Sequence, residues 1–471
     1  MKLLLRTLRA PIAACLLLAS GVLLAASPEP GDERVAALQS AYTRAVTPGE
    51  QADLYRPLFA SVLQRVQRSY ATEVDLSALA VAILGVLEPL TPGTGDPAQV
   101  FSSSINAALR TLDPYSRYLN ARSYGDARSD SSGSFVGLGL EVEASDGVVR
   151  VVAPMSGSPA ARAGVQAGDL ILRVDDQSLL GVPLADAIAR MRGQPGTPVA
   201  LTIRRPGAGN EITVALTRET IRRQPLRWSM EGDVLVLRLG TFSGAVTSAL
   251  QQAISEATTG GAPRGVVLDL RGNPGGLLRE AVTTADIFLS QGEIVSLRGR
   301  TPSNQRSWQA DAAELLAGVR LVVLIDRRSA SASELVAAAL QDNQRATVMG
   351  QRSFGKGTVQ TTFTLGEEVN GALKLTTSLY HAPSGRSVQK TGVTPDIELV
   401  VPSQPQASRG DDDSRQVLPE TRQPRLPSMQ VEQGRCAALH KASDPALSCA
   451  LAYLQAGDMD LFLAKLAGQQ P

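Results

Sequence analysis

A chain of 471 residues exceeds what one ordinary hydrophobic core organises, so about two to four domains are expected. Its 43% apolar and 19% charged residues describe a soluble globular protein, and a net charge of +1 supplies no field for nucleic acid or acidic lipid. Two histidines and three cysteines leave almost no ligands for a His- or Cys-based metal site, and only two bases, His381 and His440, for a Ser-His-Asp triad.

Lys2, Arg6 and Arg9 precede an apolar run from Pro11 to Ala26, and Ala25-Ala26-Ser27 are small. That pattern predicts an export signal over 1–27. The alternative is an uncleaved membrane anchor, although the run is short for a span. Ile12-Ala13-Ala14-Cys15 has the outline of a lipoprotein box, but too little apolar chain precedes Cys15. Removal of the signal leaves Cys436 and Cys449, either a local disulfide or two buried thiols.

The region 28–130 reads as helical. Leu54, Leu58, Val62 and Val66 recur at four-residue spacing, and Leu76 to Leu90 is apolar almost all round, which predicts a buried helix. Thr91 to Pro97 breaks the pattern, and a helix resumes from Val100 to Leu112. Tyr115 and Tyr118 read as packing residues. The polar, Ser-rich stretch from Arg122 to Ser134 reads as a linker.

Short strands follow at Gly137 to Glu143, Val148 to Pro154, Gly168 to Asp176, Val199 to Arg204 and Ile212 to Thr217, with one helix at Leu184 to Arg192. Gly137-Leu138-Gly139-Leu140, Ser158-Pro-Ala-Ala161, Ala163-Gly164 and Gly168-Asp169 occur in order, and they make 133–218 resemble a PDZ domain of secreted bacterial proteases. Gly139 allows close approach of a ligand. Amides of the Gly137, Leu138, Gly139 and Leu140 loop would hold a peptide's terminal carboxylate, while the adjoining strand edge accepts an added strand.

From 219 to 401 strands and helices alternate, which argues for an α/β layered unit with a mainly parallel sheet. Sites in such folds gather where strands end. Two loops fit that position, Arg271-Gly-Asn-Pro-Gly-Gly276 and the stretch from Ser329 to Gln360. The segment 402–433 is rich in Pro, Gln, Ser and Asp and reads as a flexible linker. The last segment, 434–471, reads as small helices for packing or self-association.

Three readings compete for Ser329 to Gln360. Ser331 lies three residues before Glu334, the spacing of a helix capping box. Gly350 to Lys356 copies most of a phosphate-binding loop, but Gly357 stands where Ser or Thr is needed, and Thr358 to Leu365 is strand-like rather than helical. The third reading is a nucleophilic serine with a lysine base. Histidine is scarce, and burial among apolar groups lowers a lysine's pKa. Phe354, Gly355 and Gly357 offer Lys356 such a setting, with no carboxylate among these neighbours to pin it as a cation. Capping and catalysis are compatible, because free amides at a helix N-terminus favour a developing oxyanion.

Several segments then point the same way. Leu112-Asp-Pro-Tyr-Ser116, Asp269 to Gly276, Ser329-Ala-Ser-Ala-Ser-Glu334, Ser353-Phe-Gly-Lys-Gly357, Val359-Gln360, Tyr380-x-x-Pro-Ser-Gly385 and Gly392-Val-Thr-Pro-Asp396 resemble, in order, the carboxyl-terminal processing peptidases, or tail-specific proteases. The resemblance covers about 110 to 400. It implies a multidomain protein: a protease core of ClpP/crotonase type, a β-rich PDZ domain, and helical N- and C-terminal segments. It implies that Ser331 is the nucleophile, Lys356 the base and Gln360 the residue that orients the lysine. Gly275 or Gly276 and the amide of Ala332 would form the oxyanion hole. His381, within the Tyr-x-x-Pro segment, reads as a packed or surface residue.

The expected protein is therefore an exported serine endopeptidase of the periplasm or cell envelope, without cofactor or metal. It would cleave protein substrates near exposed C-terminal tails chosen by the PDZ domain. The rival expectation is a non-catalytic PDZ scaffold in which Ser331 only caps a helix. Self-association, an activating partner and membrane association through the N-terminus stay open, and no nucleic-acid partner is expected.

Overall fold

The computed structural model describes residues 30–400 and 429–468, apart from 146, 223, 312, 313, 367 and 443. The expected signal at 1–27 and most of the expected linker lie outside the described residues. No helix among them is long and apolar enough to cross a membrane.

The N-terminal region is helical as the periodicity predicts. Pro30–Ala45, Leu58–Ser69, Leu76–Leu87 and Pro97–Arg110 surround a core that includes Tyr42, Phe59, Ile83 and Phe101. Two details differ from the expected pattern. Pro57 separates Glu50–Tyr55 from Leu58–Ser69, so Leu54 drops out of the buried stripe and is exposed. Leu76–Leu87 buries only one face, Leu79, Ala80, Ile83 and Leu87, and leaves Val81 exposed. The next turn is held by Asp113, whose carboxylate accepts from the Tyr115 and Ser116 amides, the Ser116 hydroxyl and the Tyr70 hydroxyl. That turn launches a short strand, β1 (Arg117–Leu119).

The segment expected to be a linker is instead a helix, α1 (Ala121–Ser132). Asn120 caps it by accepting from the Ser123 amide, and Ser131 returns its hydroxyl to the Ala127 carbonyl. The Asn120 cap and contact with β1 hold the helix without a strong apolar stripe. The strand Ser134–Gly137 pairs antiparallel with Glu219–Arg222, a ribbon at the base of the small β unit. Within that unit β2 (Leu140–Ser145) is an edge strand, followed in sheet order by Val148–Pro154, Leu170–Val174, Pro198–Arg204 and Glu211–Thr217.

The remaining elements build the layered unit. In chain order they include β3 (Leu226–Glu231), β4 (Val234–Leu239), β5 (Gly265–Asp269), α2 (Leu278–Ile287), β6 (Arg320–Ile325), α3 (Ala332–Asp342) and β7 (Ala346–Gly350). They continue with β8 (Thr358–Leu365), β9 (Gly371–His381), β10 (Ile397–Val400) and β11 (Met429–Glu432). The main sheet runs β3-β4-β5-β6-β7-β10-β11, parallel except for the β3-β4 pair. Its central strands are buried on both faces, which is why β5 and β6 read as unbroken apolar runs. α2 and α3 cover one face. The other is covered by the C-terminal helices, including Pro445–Ala456.

The expected linker thus stops short of residue 433, because β11 adds to the sheet edge beside β10. A disulfide joins Cys436 to Cys449. A second sheet is centred on β9. It pairs with β8 along one edge, and with β1 and Glu293–Arg298 at opposite ends of the other.

Candidate active site

β6 ends at Ile325, and the turn after it carries three alternating serines. Two of them are fully buried and fastened to the glycine loop that follows β5. The Ser329 hydroxyl donates to the Leu270 carbonyl at 2.8 Å, and the Ser333 hydroxyl to the Asn273 carbonyl at 2.9 Å. Ser331, between them, is half-buried and lines a cavity of about 730 Å³. Its φ of 56° is a left-handed conformation that a non-glycine residue rarely holds. Strain of that kind gathers at functional sites.

Ser331 is the N-cap of α3, as the spacing predicts. Glu334, fully buried, accepts from the Ser331 amide at 2.8 Å. The same carboxylate accepts from the Ser353 hydroxyl at 2.5 Å, the Gly355 amide at 2.6 Å and the Lys356 amide at 2.8 Å. One side chain therefore fixes the lysine loop to the serine turn. Burial pushes the Glu334 carboxyl up, against the four donors that favour its charged form. Tyr380 repeats the clamp from β9, with its hydroxyl 3.0 Å from the Ser331 carbonyl and 2.8 Å from the Lys356 carbonyl.

Lys356 lines the same cavity. Burial, then the positive charges of Lys374 and Arg117, lower its pKa to about 8, with Asp113 and Glu334 pulling the other way. Its neighbours differ from those the sequence suggests. Phe354 is 52% exposed, and the apolar contact comes from Tyr115, whose ring centre lies 4.7 Å from the Lys356 Nζ. Tyr115, expected to serve packing alone, therefore sits at the site. Carboxylates are near, but Asp113 and Glu334 are each engaged by several other donors.

Gln360 lines the cavity too, yet its amide donates to the Thr358 hydroxyl at 2.9 Å and the Thr376 hydroxyl at 3.3 Å. No hydrogen bond joins it to Lys356 among the described residues. Gly275, Gly276 and Ala332 all face the cavity. The Gly275 amide donates to Asn273 Oδ1 at 2.9 Å, whereas the Gly276 amide has no partner among the described residues, which favours Gly276 as an oxyanion donor. A Cβ on Gly275 would stand 2.7 Å from the Ala330 carbonyl oxygen and 2.9 Å from the Ala332 nitrogen, with φ at +102°. Gly275→Ala is accordingly expected to lower turnover at least a hundredfold, read as kcat on a peptide substrate, a loss on the scale of one missing oxyanion donor (about 10²–10³).

Arg271 opens the glycine loop and is held by Asp269 at 2.7 Å and by Asp444, the N-cap of Pro445–Ala456, at 2.8 Å. The C-terminal helices thus brace the loop from behind. His381 is buried, and burial lowers its pKa, as expected of a packed residue. The Gly137 to Leu140 loop lies in the small β unit. There the Leu138 and Gly139 carbonyls accept from the Ala160 and Met155 amides, and a Cβ on Gly139 would meet Ser158 Cβ at 2.2 Å. No cluster of three or more metal-ligating side chains occurs among the described residues.

The profile of peptidase family S41 matches residues 233–399, and a PDZ domain profile matches residues 150–205. A carboxy-terminal-processing protease of Bartonella bacilliformis is 40% identical over 364 residues, 76% of this chain and 79% of that protein. A probable CtpA-like serine protease of Staphylococcus saprophyticus is 35% identical over 323 residues, 66% of this chain and 65% of that protein. The solved structure of a photosystem II D1 C-terminal processing protease superposes with a TM-score of 0.50 at 30% identity, covering 75% of this chain and 94% of that one. The chain belongs to peptidase family S41 and is a serine-type, carboxy-terminal-processing protease with a PDZ domain.

Proposed function

We propose that Ser331 and Lys356 form the catalytic dyad of an exported endopeptidase that cuts proteins near their C-termini. The observation that carries this is a lysine lowered to about 8 in the cavity of a strained serine, both pinned by Glu334 and Tyr380. Ser331 Oγ attacks the scissile carbonyl while neutral Lys356 takes its proton. The oxyanion is received by the Gly276 and Ala332 amides. Collapse breaks the C–N bond, and the lysine returns the proton to the leaving amine. Water, deprotonated by the same lysine, then cleaves the ester on Ser331. Gln360 is assigned a positioning role through Thr358 and Thr376 on the cavity wall.

The layered core is read as the ClpP/crotonase type. Export is supported by the basic and apolar pattern of 1–27, and an oxidising compartment by the Cys436–Cys449 disulfide. A fluorophosphonate reagent should add one phosphonyl group per wild-type chain, at Ser331, and none to Ser331→Ala. Labelling elsewhere, or an unlabelled wild type that binds tails without cutting them, sinks the dyad and favours a scaffold.

The PDZ unit is assigned the choice of substrate, since β2 is an open sheet edge beside the Gly139 loop. Tethering a tail there raises its concentration at Ser331. Gly139→Val is expected to raise KM for a protein with a free tail by about tenfold, the value of roughly 1.4 kcal/mol of lost binding. An unchanged KM removes this role from the loop.

A further inference from the structure

The cavity that holds Ser331 has a charged floor that the dyad does not use. β8, β9 and β1 lie side by side there, and Thr362, Lys374 and Arg117 stand opposite one another across the three strands. All three residues line the cavity. Two cations directly opposed on neighbouring strands repel each other. Burial and the Arg117 charge lower the pKa of Lys374. Neither residue has a carboxylate partner among the described residues. Asp113, the nearby acid, is occupied by Tyr70, Tyr115 and Ser116. Lys374 is half-buried and Arg117 exposed beside it, so an anion arriving with a ligand meets two like charges that it can bridge.

We infer that Arg117 and Lys374 form a carboxylate-binding subsite beside the scissile bond, filled by the substrate chain. The carboxylate belongs either to the free C-terminus of a short tail or to an Asp or Glu side chain. Arg117 offers a planar fork for two parallel hydrogen bonds, and Lys374 offers a point charge. The inference rests on Ser331 being the nucleophile of this cavity. It assigns specificity to the protease core itself, separate from the tail selection given to the PDZ unit.

Peptides of one sequence made in two pairs test it. The first pair ends in a free acid or an amide. The second carries Glu or Gln near the cut. kcat/KM is measured with wild type, Arg117→Gln, Lys374→Met and Arg117→Lys. Ratios within a pair cancel any change in the reactivity of Lys356. Wild type should favour the acid of one pair by about tenfold, the scale of one charge-assisted hydrogen bond. Arg117→Gln and Lys374→Met should bring that ratio toward one in the Glu/Gln pair, or lower it in the acid/amide pair to the preference that the PDZ loop alone supplies, and Arg117→Lys should restore most of the loss. The responding pair identifies the source of the carboxylate. Lys374→Met removes a charge that burial disfavours, so it keeps the test open if Arg117→Gln fails to fold. Acid-to-neutral ratios in both pairs that match wild type overturn the subsite while leaving the dyad intact. Hydrolysis that survives in Ser331→Ala overturns both.

Discussion

Ser331→Ala and Lys356→Ala are each expected to lower kcat/KM on a tail peptide by about 10⁴–10⁶-fold, and the double variant by scarcely more, because in the proposed dyad the two groups act as a unit. Steady-state kinetics on purified variants checks this. The two variants must lose activity together; a Lys356→Ala enzyme within tenfold of wild type removes the lysine as base. The pH profile supplies a second reading. As the proposed base Lys356 must be neutral to accept a proton, and its pKa is lowered to about 8. Wild-type kcat/KM should therefore rise with pH through about 8 and level off above it.

Stability should rise with pH as well. The folded pKa lies below the ordinary lysine value of 10.5, so the folded state disfavours the ammonium. That penalty is complete below about pH 8 and disappears as pH rises toward 10.5. Lys356→Met is thus expected to be inactive yet more stable than wild type at pH 7, by about 1–3 kcal/mol after allowance for partial exposure. Thermal unfolding of both proteins at pH 7 and pH 10 measures the difference, which should shrink at the higher pH. Active sites are commonly built at the expense of stability.

Glu334→Ala carries the other large effect. It strands the Ser331, Gly355 and Lys356 amides and the Ser353 hydroxyl inside the core. Leaving several buried donors unpaired is expected to cost about 3–5 kcal/mol of stability. Activity should fall at least a hundredfold, because the serine turn and the lysine loop lose their common anchor and a small misplacement is enough. Glu334→Gln should be nearly as damaging, since its amide nitrogen would face donors. The remaining activity separates positioning from simple destabilisation. Glu334 raises the pKa of Lys356, so its removal should shift the pH profile to lower pH. A variant with lower Tm but an unmoved profile would confine Glu334 to structure.

Much of the site was legible in the chain. Ser331 with Glu334 three residues on predicts the helix start, and α3 begins at Ala332. The strand after Lys356 ruled out a phosphate loop, and β8 is that strand. The resemblance singled out Ser331 among three serines. In the structure Ser329 and Ser333 are spent on Leu270 and Asn273, while Ser331 lines the cavity. The polar segment before the PDZ unit misled, because α1 has no strong apolar face and is held by its Asn120 cap and by contact with β1 and β9. It nevertheless forms part of the cavity wall, through Tyr124 and Arg128.

What the sequence by itself determined is local: helical periodicity, buried parallel strands, the capping residue, the glycine loops and the order of the family segments. These depend on neighbours a few residues apart, where spacing alone dictates geometry. What the tertiary structure decided is long-range. Tyr115 reaches Lys356, Asp444 braces Arg271, β11 closes the sheet edge, and Arg117 meets Lys374 across a strand pair. Each contact joins parts of the chain far apart in sequence, and strand register and sheet order, which no short pattern encodes, bring them together.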